Sequence, residues 1–300
     1  MSEEIKESSM QFLQEMADST SIDIKLLENE YKKLHDALKE EESFQDPEHL
    51  ERFIQRHIRA KYQSRSPAIP RKIIPVGMDQ IRKNKDGDLY SSLFVIDETK
   101  KLRRVAFNGD ICEQMRDIQM WYPYKDVPLA EYSKSNDFLA DDRADFSNML
   151  DSKLDPMKIL SITNCKKLTL KDILTADERE LRETILSRVD DRGWPIKSDW
   201  RAIHGKVENM KYSTDDKENT NSGWLRITDG SIPVSRELFD NEGNTISKDM
   251  RIWVSPLTAP NLTQYSEAWV LGTLGQNPNS KEITMNGFCI VPTFIWNLEG

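Results

Sequence analysis

The sequence predicts a mainly β protein with a helical N-terminus, in which two small five-stranded barrels are joined by a helical connector. Two observations carry this reading. Residues 10–62 repeat apolar side chains at helical spacing, whereas two later regions break into short alternating strands bounded by Asp, Asn and Gly. Those two regions also share one pattern, an alternating strand, an Asp-bounded turn, and a strand mixing Arg with aromatic and small residues. In the first copy it runs from Ser92 to Asp97 and from Leu102 to Asp110; in the second it runs from Gly223 to Asp229 and from Met250 to Val254.

Three hundred residues suffice for two modest domains and a helical appendage, since single cores run to roughly 100–200 residues. Charged residues make up 31% of the chain, but seven Trp, eight Tyr and ten Phe supply the apolar material that a disordered acidic chain lacks. The three cysteines (Cys112, Cys165, Cys289) and four histidines form no CxxC pair and no metal-ligand spacing, so neither a zinc site nor a disulfide framework is expected. Glu3, Glu4 and Lys6 precede no apolar signal segment, and no run approaches the roughly 20 apolar residues that cross a bilayer. An intracellular, soluble protein without a membrane partner is expected, cytoplasmic or nucleoid-associated in a prokaryote.

The net charge of −9 is unevenly spread. Residues 1–51 hold fifteen acids against five Lys/Arg, while residues 52–72 hold seven Lys/Arg and no acid. Binding to phosphate depends on the field along one groove, so the sign of the total excludes no nucleic-acid partner.

The N-terminal module is expected over residues 1–62. Phe12, Leu13 and Met16 share a helix face; Ser21 or Asp23 can cap a second helix carrying Leu26, Leu27, Tyr31, Leu34 and Leu38; a third would carry Leu50, Phe53, Ile54 and Ile58. Residues 63–71, with two prolines and no periodicity, read as a linker. The first barrel is expected over 72–160, with strands Lys72–Ile81, Leu89–Ile96, Leu102–Asn108 and Val127–Tyr132 and a turn at Asn84–Gly87. Residues 161–198 return to helical spacing through Leu170, Ile173, Leu174, Leu181, Ile185 and Leu186, a connector. The second barrel, 199–300, is expected to hold five strands, with a polar insertion at Glu237–Asp249.

Period-two alternation sorts side chains by face. In the second copy, Ile203, Gly205, Val207, Leu225, Ile227, Ile252 and Val254 fall inward, and Trp224, Arg226, Arg251 and Trp253 fall outward. Two exposed Trp-Arg pairs suit a surface that stacks bases, worth about 1–3 kcal/mol each, and meets phosphates. The opposing reading buries both tryptophans under the insertion or the connector. In the first copy, Leu93 and Val95 point inward and Phe94 outward. If Phe107 also faces outward, Arg104 is nominally inward, a costly burial that a bulge would relieve. Lys83, Lys85, Arg103 and Arg104 are candidate groove cations here, with Arg201, Lys206, Lys211 and Arg226 in the second barrel.

The stretch from Ser92 through Glu98 and from Leu102 through Asn108 resembles the oligonucleotide/oligosaccharide-binding (OB) fold of the large subunit of replication protein A. The resemblance covers 72–146 densely and 199–292 more loosely, and Asp18–Asp23 leading into Leu26–Leu38 is similar to the helical module preceding the barrels in archaeal members. It implies that Phe107 stacks on a base, that Arg103 contacts the strand, and that Phe138 or Phe146 supplies a second aromatic from a hairpin. Trp253 takes the aromatic place in the second barrel. The candidate hairpin Gln276–Lys281 offers no aromatic, and the zinc domain of many relatives has no cysteines to build it.

The function expected from these readings is single-stranded DNA binding and protection in replication, repair and recombination, without a cofactor. Single-stranded RNA binding and an OB-fold adaptor for protein interaction are the alternatives, with replication or repair proteins docking through the N-terminal helices and other subunits as further partners. An enzyme is not expected. Asp97, Asp110, Asp141, Asp142, Asp229 and Asp240 suit turns, and no nucleophile–histidine or phosphate-loop motif accompanies them.

Overall fold

The computed structural model describes residues 5, 7–20, 22–39, 41, 46–62, 68–85, 87–109, 111–131, 137–140, 144–190, 193, 195–215, 220–233, 235, 237–239, 243, 245, 247–277 and 280–296. The chain divides into two compact units, one of Met1–Pro70 with Pro128–Leu139 and one of Arg71–Val127 with Ala140–Gly300. Among the described residues no helix is long and apolar enough to cross a membrane, and no cluster of three or more His, Cys, Asp or Glu could hold a metal.

In the first unit three helices, α1 (Glu7–Thr20), α2 (Ile24–Leu38) and α3 (Pro47–Tyr62), pack around Leu13, Leu27, Ile54 and Ile58, all fully buried. The starts of α2 and α3 are set by side chains. The Lys25 amide donates to Asp23 Oδ1 at 2.8 Å, and the Glu48 amide donates to Asp46 Oδ1 at 3.0 Å. Phe53, expected on the apolar face of the third helix, is exposed instead, because Leu50, Ile54 and Ile58 at i, i+4 and i+8 already fill the stripe.

The strands follow in chain order: β1 (Ile69–Met78), β2 (Arg82–Lys83), β3 (Leu89–Asp97), β4 (Leu102–Asn108), β5 (Tyr124–Glu131), β6 (Phe138–Leu139), β7 (Lys166–Leu168), β8 (Arg201–Asp215), β9 (Thr220–Thr228), β10 (Met250–Val254), β11 (Glu267–Gln276) and β12 (Ile283–Phe294). They form two six-stranded sheets. In the second unit the first sheet is an antiparallel ladder in which β3 pairs with β1, β2 and β4.

The second sheet closes. β8 pairs antiparallel with β9, β9 with β10, β10 runs parallel to β12, and β11 pairs antiparallel with both β12 and β8, completing a five-stranded barrel. This mixed Greek-key ring is consistent with an OB fold. Its interior is built from one face of every strand, including Ile203, Val207, Leu225, Ile227, Ile252, Val254, Val270 and Met285.

The segment expected as a helical connector is more broken than its periodicity suggests. It contains single turns at Ile159–Ile162 and Leu170–Leu174, the second held by a reciprocal Thr169/Asp172 capping box, and between them the strand β7, parallel to β8. Leu168, Leu170, Ile173, Leu181 and Ile185 enter the barrel core, so these apolar residues serve the sheet rather than a free helix.

A further apolar cluster joins the two sheets within the second unit. Val76, Phe94 and Ile96 from the first sheet pack with Trp200, Ala202, Leu271, Phe288, Cys289 and Val291 of the second. Gly77 permits the approach, for a Cβ there would lie 2.0 Å from the Phe288 carbonyl oxygen.

Candidate nucleic-acid interface

The outer face of β8, β9 and β10 carries two rows of side chains fixed by register. In one row Lys211 lies opposite Trp224, Trp224 opposite Trp253, and Trp253 opposite Asn286 of β12; in the next, Asn209 lies opposite Arg226 and Arg226 opposite Arg251. The alternation sets this arrangement, since Leu225, Ile227, Ile252 and Val254 on the intervening positions are fully buried. A shift of register between Val207 and Asn209 brings Lys211 opposite Trp224.

Two arginines directly across a ladder repel unless their charge is answered. Arg226 Nη1 donates to Asp249 Oδ1 at 2.6 Å. The Arg251 guanidinium instead lies 5.7 Å from the Trp224 ring and 5.9 Å from the Trp253 ring, within cation–π range of both. Its Nε, shielded from solvent, has no hydrogen-bond acceptor among the described residues. Trp253 remains 38% exposed and Trp224 is half-buried, so the tryptophans are not sealed under the insertion or the connector. The face offers flat rings, a cation without a carboxylate partner at 4 Å or less among the described residues, and Lys211 at its edge.

A loop from the first sheet meets the end of these strands. Gln80 Nε2 donates to the carbonyls of Gly223 and Val254 at 2.9 and 3.0 Å, and the Ile81 amide donates to Asn221 Oδ1 at 3.1 Å. The following strand β2, with exposed Arg82 and Lys83, packs against β9. Lys85 is exposed in the turn beyond, of which Asp86 lies outside the described residues.

The first sheet places its candidate residues differently from the sequence expectation. Phe94 does face away from Leu93 and Val95, but it is fully buried, its ring 4.5 Å from Phe288 and 5.1 Å from Trp200. Phe107 pairs across to Ser91 and shares the inward face of Val105 and Leu93, leaving it 2% exposed and unable to present a face to a base. Arg104 consequently lies opposite Phe94, on the face away from Phe107, where it is half-buried. Phe138 is buried as well, and half-buried Phe146 meets Tyr124 edge-on at 6.2 Å.

Arg103 is committed to the fold. Its Nε donates to Asp97 Oδ2 at 2.9 Å, while Asp97 Oδ1 accepts from Thr99 N, Thr99 Oγ1 and Lys101 N. Burial pushes the Asp97 carboxyl up, but the bonds from Thr99, Lys101 and Arg103 outweigh it and leave it below the ordinary carboxylate range. Arg201 is likewise engaged, donating to Asp199 Oδ1 and to the carbonyls of Ile185 and Leu186. Asp229 organises a turn through Ser231 and accepts from the Leu170 amide; Asp110, Asp141, Asp142 and Asp240 lie outside the described residues.

Lys206 stands apart from the tryptophan rows. Its Nζ lies 4.9 Å over the Tyr265 ring, on the side of β8 that pairs with β11. Tyr265, Phe294 and Trp296, all strongly exposed, accompany it there. Sequence reasoning missed these three, because they lie outside alternating strand interiors or close to the chain's end.

No protein-family model matches the chain, and no curated protein matches it. Among solved structures, a replication protein A heterotrimer bound to single-stranded DNA superposes with a TM-score of 0.41 at 10% identity, covering 76% of this chain and 50% of that one. A murine DNA-binding protein bound to double-stranded DNA gives a TM-score of 0.28 at 9% identity, covering 76% and 98%. The single-stranded DNA-binding protein of Thermus aquaticus gives 0.22 at 9%, covering 78% and 96%. The chain thus spans half the length of the replication protein A chain, and superpositions this loose supply no residue correspondence.

Proposed function

We propose that this protein binds single-stranded DNA across the outer face of β8, β9 and β10, stacking bases on Trp253 and Trp224 and meeting phosphates with Arg251 and Lys211. The observation that carries the reading is Arg251 poised within about 6 Å of both tryptophan rings on this face, its Nε without an acceptor among the described residues. A merely solvated barrel gains nothing from exposing tryptophan around an arginine. A strand gains about 1–3 kcal/mol per stacked base and a charge-assisted contact besides.

Both sheets are OB barrels in this proposal, but they divide the work unequally. Phe94 and Phe107 of the first are spent on packing, so it contributes the cations of β2 beside β9, while the second barrel does the stacking. The cellular role that fits is coating exposed strands during replication, repair and recombination, with partner proteins docking on the acidic N-terminal helices. Stacking tolerates either sugar, which makes RNA the nearest competitor.

The test is a tryptophan-fluorescence titration with oligo-dT, oligo-U and duplex DNA at two salt concentrations. Quenching by oligo-dT that weakens with salt is the expected result. Preference for oligo-U would reassign the ligand to RNA, preference for duplex would sink the stacking mechanism, and no quenching by any of them would sink nucleic-acid binding on this face.

A further inference from the structure

The barrel carries a second aromatic surface, around β8 from the tryptophan rows. Across β11, Trp269 stands opposite His204 and Glu267 opposite Lys206, and Phe294 of β12 stands opposite Glu267. Tyr265, Phe294 and Trp296 are 44%, 52% and 49% exposed. With Lys206 and Glu267 they line a cleft of about 510 Å³, inside the roughly 300–1,000 Å³ range of small-ligand sites. Phe294 and Trp296 meet edge-on at 6.4 Å, and Lys167 Nζ lies 5.4 Å from the Trp269 ring.

Three large rings left in water around one cleft mark a binding surface. We infer that the cleft takes an unpaired base of the same strand that crosses the β8–β10 face, an inference that rests on the proposed function. Two features choose a base over a simple anion. Glu267 beside the rings, and Glu208 at 3.8 Å from Lys206, temper the positive charge, so the cleft is no phosphate well. A carboxylate next to stacking rings accepts from an exocyclic amine, as acidic side chains do from cytosine N4, while Lys206 meets the adjoining phosphate.

Continuity selects the same strand as the occupant. β8 is common to both surfaces, with Lys206 facing Glu267 on β11 and Thr228 on β9, and Lys211 facing Trp224 five residues further on. That separation is about 16 Å along the strand, a path lined by Lys206, Glu208, Asn209 and Lys211. A strand long enough to reach from one surface to the other gains a second stacking site at high effective concentration.

The test titrates the full chain, the Phe294→Ala/Trp296→Ala double variant and Lys206→Gln with fluorescein-labelled oligo-dC of increasing length, read by anisotropy. All three are expected to bind the shortest oligomers alike. On lengthening, the unsubstituted chain gains affinity, the double variant falls behind it by about five-fold or more, and Lys206→Gln shows a shallower salt dependence on long strands only. An unchanged length dependence in both variants overturns the inference while leaving the proposed function standing. So does a change in self-association of the double variant without a change in affinity, which would assign the cleft to a second copy of the chain. Absence of binding by the unsubstituted chain at every length overturns the parent reading and this one together. Should the double variant not fold, Lys206→Gln decides alone.

Discussion

Phe94 stacks on Phe288, their ring centroids 4.5 Å apart and their planes 26° from parallel. One ring belongs to the first sheet and the other to the second, with Trp200 edge-on to Phe94 at 5.1 Å. Phe94→Ala should therefore cost about 3–5 kcal/mol of unfolding free energy. Affinity for oligo-dT, corrected for the folded fraction, should stay within two-fold or so. Denaturant unfolding beside the binding titration checks both, and a large loss of affinity in a stable variant would return Phe94 to the interface.

Phe107→Ala belongs to the same class, for Phe107 shares a face with the buried Val105 and Leu93. About 3–5 kcal/mol of stability should be lost without a specific effect on binding. Weakened binding in a variant that melts like the parent would overturn its inward placement.

Trp253→Ala should do the reverse. Its ring is 38% exposed, so little packing is lost, and affinity for oligo-dT should fall by about 1–3 kcal/mol at an unchanged melting temperature. Anisotropy with a labelled oligomer reads this without relying on the deleted fluorophore. Unaltered affinity would remove Trp253 from the interface.

These contrasts mark what the sequence could say. Alternation separated Leu225, Ile227, Ile252 and Val254 from Trp224, Arg226, Arg251 and Trp253, because each barrel strand has one buried face and a period of two. It also gave Phe94 the correct face, but not the fate of that face, since the covering residues Trp200 and Phe288 lie more than a hundred positions away. Arg103 read as a groove cation because nothing local announces its bond to Asp97. β7, three residues long, is too short to display a period. The Tyr265–Phe294–Trp296 cleft exists only because β11 closes onto β8, a pairing that local pattern does not encode.

Arg251→Lys should not be a silent change. The Arg251 guanidinium lies within about 6 Å of two indole rings, and a guanidinium keeps in-plane donors for phosphate, whereas an ammonium is a strongly hydrated point charge. Affinity for oligo-dT should fall about three- to ten-fold with the salt dependence retained; Arg251→Ala should also flatten the dependence of log K on log salt by about 0.7. Equal affinities for the parent and Arg251→Lys would show that charge alone is needed there.

Acid should unfasten the turn between β3 and β4. The Asp97 carboxylate is held below the ordinary range, its burial outweighed by bonds from Thr99, Lys101 and Arg103. A depressed folded value means that its stabilising contribution is present above the unfolded pKa, about 4, and is lost as pH falls through the folded value. Unfolding free energy should accordingly decline as pH falls below about 4, and Asp97→Asn should flatten that decline while costing about 1–3 kcal/mol at neutral pH. Arg103→Ala, which leaves the 3%-exposed Asp97 side chain without its cation, should lose about 1.5–3 kcal/mol at pH 7 and converge with the parent in acid. Urea unfolding of the three proteins across that window tests the assignment, and parallel pH profiles for parent and Asp97→Asn would place the titrating groups elsewhere.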